Sequence, residues 1–170
     1  MTPTEIQIII SIATILCSGV VSAIVTHKLS TGRAECEFRR KKLEELFFAV
    51  QTYCTTLFSR NIVWPQVMRG KISYDDANGL VIQNHDKQDK SHDVMQMLVN
   101  IYFPELRPHL LGILNRRDQI NAIFAKFTKS RKREENCECY IQPFLDELSA
   151  IDADEKAMTN SIFRLSEKYR

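Results

Sequence analysis

Residues 6–26, IQIIISIATILCSGVVSAIVT, carry no charged side chain. About 20 apolar residues at ~1.5 Å of rise each cover a hydrocarbon core of ~30 Å as a single helix. The run predicts an N-terminal transmembrane helix over residues 1–27, followed by one domain over residues 28–170, and no other stretch could span in the same way. A cleaved signal peptide is the rival reading, with Val21-Ser22-Ala23 as a passable cleavage site. It fits less well, because Glu5 is the only charged side chain before the run and the apolar core exceeds the 7–15 residues of a signal sequence. A lipoprotein reading fails because Ile15-Leu16 precede Cys17 where small residues are needed.

Basic residues orient the run. No Lys or Arg precedes it, whereas Lys28, Arg33, Arg39, Arg40, Lys41 and Lys42 follow it. Basic residues close to a span mark the cytoplasmic side. The expectation is a single-pass inner-membrane protein with its N-terminus outside and a cytoplasmic C-terminal domain. The same cations either set topology alone or also hold anionic headgroups.

Within the run, Gln7, Ser11, Thr14, Ser18 and Ser22 recur at spacings of four, three, four and four, and Gly19 and Ala23 form a small-xxx-small pair beside them. At 100° per residue the polar set falls within roughly 80° of arc. Lipid gives no reason for such alignment, whereas close helix–helix approach does. A packing face toward a second copy or a partner helix is expected, the alternative being side chains bonded back to their own backbone.

For residues 28–170, composition excludes several classes. Five Gly and five Pro in 170 residues argue against a turn-rich all-β fold, and a net charge of +2 gives no nucleic-acid signature. Cys137-Glu-Cys139 has the wrong spacing for a metal knuckle, and no second pair completes a site. No cofactor is expected.

Helical periodicity fills the domain. Leu43, Leu46, Phe47, Val50, Tyr53, Cys54, Leu57 and Phe58 follow a three-and-four repeat. Helices are predicted at about 33–59, 73–102, 105–128 and 140–168. Trp64-Pro65 is a connector read as a plug over the bundle end, and Ser73-Tyr-Asp-Asp76 resembles a capping box. The polar stretch 84–93 is either a polar layer of one long helix, with Asn84, Gln88 and Ser91 inward, or a break. Phe103-Pro104 ends the second helix, and the third starts at Pro104 or, better, at Pro108. Similar lengths and short connections predict an all-α protein, its membrane helix continuing into an antiparallel up-down four-helix bundle. In that topology the cations Lys126, Lys129, Arg131, Lys132 and Arg133 lie at the membrane-distal end, as a solvated helix terminus or a site for an acidic partner or RNA.

Catalytic candidates are few. His85, Asp89 and His92 share a helix face at i, i+4 and i+7, a spacing that suits a bundle metal site only with carboxylates from other helices. No phosphate loop, GxSxG or HExxH occurs. The span, the stem Arg39-Arg-Lys-Lys-Leu-Glu-Glu45 and the segment Met97-Leu-Val-Asn-Ile-Tyr-Phe-Pro-Glu-Leu106 resemble small uncharacterised bacterial proteins with one N-terminal span and a helical bundle. Some of these resemble accessory parts of phage-defence or membrane stress systems. The resemblance covers about the first two-thirds of the chain and implies no residue's role.

The functional expectation is a membrane-anchored, non-enzymatic protein acting through protein–protein contacts. The alternative is an oligomerising, membrane-perturbing effector of a defence or toxin-like system, and an enzyme built around His85, Asp89 and His92 ranks third. The expected partners are the lipid bilayer and a second copy or another membrane protein. Nucleic acid is not expected, and no small-molecule substrate is identified.

Overall fold

Leu43, Leu46, Val50, Tyr53, Cys54 and Leu57 are all buried, so the three-and-four repeat does place one helix face in a core. The computed structural model describes residues 3–82, 85–133 and 137–169, with side chains described at 21–81, 90–133 and 137–169. Its helices are α1 (Pro3–Asn61), α2 (Trp64–Met68), α3 (Tyr74–Ile82), α4 (His85–Ile101), α5 (Arg107–Lys132) and α6 (Ile141–Glu167). Short 3₁₀ turns at Pro104–Leu106 and Glu138–Tyr140 precede α5 and α6. Among the described residues there is no strand, and the fold is an all-α helical bundle.

The chain divides into two units, residues 1–40 with Tyr169 and residues 41–168. In the first, α1 continues through Gly32, and Thr31 Oγ1 donates back to the His27 carbonyl at 2.9 Å. Arg39 donates to Glu35 at 3.2 Å and to the Tyr169 hydroxyl at 3.4 Å.

In the second unit, α5 and α6 form an antiparallel hairpin. Ser130 meets Tyr140 at 3.0 Å near the turn, Arg116 reaches Glu147 at 3.1 Å, and His109 reaches Ser161 at 2.9 Å further along. From Lys41 onward α1 runs against α4, with Tyr53 stacked 5.6 Å from His92, and against α6, with Phe47 5.6 Å from Phe163. Phe103, Phe127, Phe144, Ile113 and Leu148 fill the space between the helices.

Local chemistry sets the corners. Gly70, at φ 70°, ends α2, its N–H donating to the Val67 carbonyl at 2.9 Å while Lys71 N–H reaches Gln66 at 2.9 Å. A left-handed residue at a helix end favours glycine because no Cβ opposes that conformation. Ser73 caps α3, accepting from the Asp76 N–H at 3.1 Å and donating to the Asp76 carboxylate at 2.6 Å. Phe103, with φ −135° and ψ 58°, leaves the helical region before Pro104, as ring sterics require. Across the stretch read as one helix over 73–102, α3 ends at Ile82 and α4 begins at His85, so the polar segment is helical from His85 onward. Ser91, inward in the polar-layer alternative, is buried, whereas the Asn84 and Gln88 side chains lie outside the described residues.

One expectation is overturned. Among the described residues, no helix is long and apolar enough to cross a membrane. The described side chains of α1 start at Val21, and from there the helix carries Lys28, Arg33, Glu35 and Glu37. Charged side chains cost about 2.5–3.5 kcal/mol each at the centre of a spanning helix, so this part of α1 cannot serve. The transmembrane helix of residues 1–27, the single-pass inner-membrane placement and the outside N-terminus are corrected accordingly. The bilayer, expected as a partner because of that span, loses its basis. The side chains of residues 6–20, which carry most of the apolar run, lie outside the described residues.

Candidate functional site

On α1, Cys54 and Phe58 stand four residues apart, and Ile62 follows in the turn just after the helix, its N–H donating to the Phe58 carbonyl at 2.9 Å; on α6, Leu145, Leu148, Asp152 and Glu155 recur at spacings of three and four. Each set forms one stripe of its helix. Because α1 and α6 lie side by side, the stripes face across an open groove of about 540 Å³. Buried Cys54, Leu148 and Ile151 make its floor, and Phe58 of α1 and Ile62 of the turn after it, 41% and 42% exposed, stand at the edge across from α6. Thr55, Ser149, Asp152 and Glu155 supply the polar groups.

The electrostatics are one-sided. Asp152 is paired with Lys156 at 2.6 Å on the exposed side of α6. No hydrogen bond or ion pair among the described residues engages the Glu155 carboxylate. Burial, then the neighbouring Asp152, raises the Glu155 pKa above its ordinary value, with Lys156 opposing. Burial also pushes the Cys54 thiol up, with Glu155 and Asp154 adding to it. A thiol so held is no nucleophile, because the thiolate is the reactive form. The groove therefore offers apolar contact and a negative edge.

The raised Glu155 pKa has a consequence for stability. The folded chain keeps this proton to higher pH than the unfolded chain does. The carboxyl's ionisation therefore weakens the fold as pH rises through the raised value, and has no such effect below the unfolded value. Glu155→Gln is expected to be more stable than wild type at pH 7, by no more than about 0.5 kcal/mol for this half-exposed position. Near pH 3 the two should coincide. Urea midpoints at both pH values check this, and a destabilised Gln variant at pH 7 would mean that a favourable partner holds the carboxylate.

The residues singled out in the sequence are placed as follows. The side chains of Gln7, Ser11, Thr14, Ser18 and Gly19 lie outside the described residues, while Ser22 and Ala23 are exposed. Lys28 and Arg33 are exposed, Arg39 pairs with Glu35, and Lys42 pairs with Glu45 at 2.6 Å. Arg40 and Lys41 also have interaction partners, so much of this basic cluster is occupied within the protein. Lys126, Lys129, Arg131, Lys132 and Arg133 are exposed at the end of α5, and Arg131 lies over the Tyr74 ring at 4.4 Å. Cations in a last helical turn complement its carbonyl terminus.

No metal-holding group of three or more side chains occurs among the described residues. The side chains of His85 and Asp89 lie outside that set. His92 meets Gln96 at 3.2 Å through Nε2 and Asp93 at 3.5 Å through Nδ1.

Two polar groupings were invisible in the sequence. Ser161 Oγ lies 2.9 Å from His109 Nε2 and donates its one proton to the Ala157 carbonyl at 3.0 Å. Nε2 must then be the donor to Oγ, the reverse of a base activating a nucleophile. Arg116 bridges Glu147 and Asp154, each at 3.1 Å, and ties α5 to α6. Gly112 lies beside that bridge, where a Cβ would come within 3.8 Å of the Asp154 carboxylate. Sequence separations of 31 and 38 residues give no local signal for the Arg116 bridge. No family model matches the chain, and no curated protein or solved structure matches it.

Proposed function

We propose that the chain is a non-enzymatic helical protein that acts through protein–protein contacts, with the α1/α6 groove receiving one amphipathic helix of a partner. The observation that carries this reading is an open apolar groove edged by a half-buried carboxylate that no ion pair among the described residues engages. A docked helix presents apolar anchors at i, i+3, i+4 and i+7, and a groove between two packed helices is the shape that receives them. From Cys54 on α1 to Ile62 in the turn just after it, the stripe rises ~12 Å, about two turns of a docked helix. The partner helix carries a Lys or Arg on the flank facing Glu155. That charge would pair with the carboxylate, whose burial outweighs the opposing Lys156, and exclude acidic competitors.

The test uses two synthetic helical peptides with the same leucine stripe, one flanked by lysines and one by glutamates. Fluorescence anisotropy should show the lysine-flanked peptide binding at least about tenfold more tightly. Glu155→Lys should reverse that preference. Equal binding of both peptides, or of neither, would refute the reading.

A further inference from the structure

The opposite flank of α1 carries a second surface of different design. Lys90, Val94, Met97 and Ile101 recur at spacings of four, three and four along α4 and form one stripe. Phe48 of α1 stands beside this stripe, and both Phe48 and Ile101 are 64% exposed. A shallow groove of about 400 Å³ between the helices is lined by Glu45, Phe48 and Ala49 on one side and Lys90 and Val94 on the other. Large apolar side chains left this open in a row mark a contact surface.

The charges identify the occupant. The helices are antiparallel here, with Tyr53 beside His92 and Lys42 within electrostatic reach of Tyr102. Glu45 therefore marks one end of the groove and Lys90 the other, ~14 Å apart by helix rise. A partner of uniform sign would be repelled at one end. A surface with an apolar middle, an anion at one end and a cation at the other complements itself under a two-fold rotation. That rotation sets Glu45 of each copy against Lys90 of the other. Lys90 has no ion pair among the described residues, and Glu45 has only Lys42, three residues before it on the same exposed helix face.

We infer that this protein pairs with a second copy through the α1/α4 face, in an isologous dimer centred on Phe48 and held in register by two Glu45–Lys90 bridges. The pairing is independent of the α1/α6 groove and leaves that groove open.

Full-length protein labelled with ¹⁵N, mixed with unlabelled protein and treated with a carbodiimide, tests the register. Carbodiimide joins only carboxylates and amines in direct contact, so Glu45 and Lys90 of one chain are too far apart to react. Isotopically mixed Glu45–Lys90 cross-links are expected. Glu45→Lys and Lys90→Glu should each weaken self-association at least about tenfold by sedimentation, because each reversal creates two like-charge contacts. The double variant should restore it. A wild-type monomer, cross-links confined to other residues, or a helical double variant that fails to regain association would each overturn the inference.

Discussion

Trp64→Ala is expected to lower the unfolding free energy by about 3–5 kcal/mol, the range for removing a large buried aromatic side chain. Trp64 is only 4% exposed and lies on α2, a helix too short to be stable by itself. Its indole sits 4.5 Å from Phe124 of α5 and 5.3 Å from Tyr74 at the start of α3. Arg131 covers the Tyr74 ring in turn, so one side chain holds three chain segments together at this end of the bundle. Truncation leaves a cavity and also releases the α2–α3 connection from α5. Against the 5–15 kcal/mol typical of a whole domain, such a loss brings the fold close to its limit. The natural comparison is Phe58→Ala. Phe58 is 41% exposed at the groove edge, and its truncation should cost about 1 kcal/mol or less. Urea titration followed by circular dichroism measures both, and equal losses would remove the plug role assigned to Trp64.

The plug was legible because a Trp-Pro pair between two amphipathic helices has few other uses in a bundle. The helix face over residues 43–57 was legible for a similar reason, since its apolar spacing fits only the helical period. Periodicity nevertheless gives the direction of a stripe and not its covered width. Phe58, Leu80, Ile101 and Leu111 belong to apolar stripes by spacing, yet all four are exposed. Whether a flank residue is covered depends on the angle and separation of the neighbouring helices, which arise from the packing as a whole. Both apolar surfaces described above are made of such flank residues. The cross-helix bridge of Arg116 escaped for the same reason, since nothing local pairs it with Glu147 or Asp154. The membrane span failed differently. It is a reading of the length and charge-free character of residues 6–26, whereas the described side chains of α1 begin at Val21 and no helix among the described residues is long and apolar enough to cross a membrane.

Cys54 is expected to resist alkylation about a thousandfold more than Cys139 in the native protein. Cys54 is 1% exposed beneath the α1/α6 groove, whereas Cys139 is exposed near the start of α6. Reagent can reach Cys54 only when α1 separates locally from α6. Openings in a packed core lie several kcal/mol above the native state, a factor of about 10³ at 4 kcal/mol. A second effect multiplies the first. Burial, and then the charges of Glu155 and Asp154, raise the thiol's pKa, so little of it is thiolate at neutral pH. Isotope-coded alkylation read by mass spectrometry resolves the two cysteines in one sample. Burial outweighs the neighbouring charges, so Glu155→Gln should change the Cys54 rate only slightly. Trp64→Ala should raise it strongly, because losing the plug lowers the cost of every opening that passes through unfolding. Comparable rates at Cys54 and Cys139 in wild-type protein would mean that α1 and α6 separate readily. The groove would then be no preformed site, and the docking proposal would lose its geometric basis.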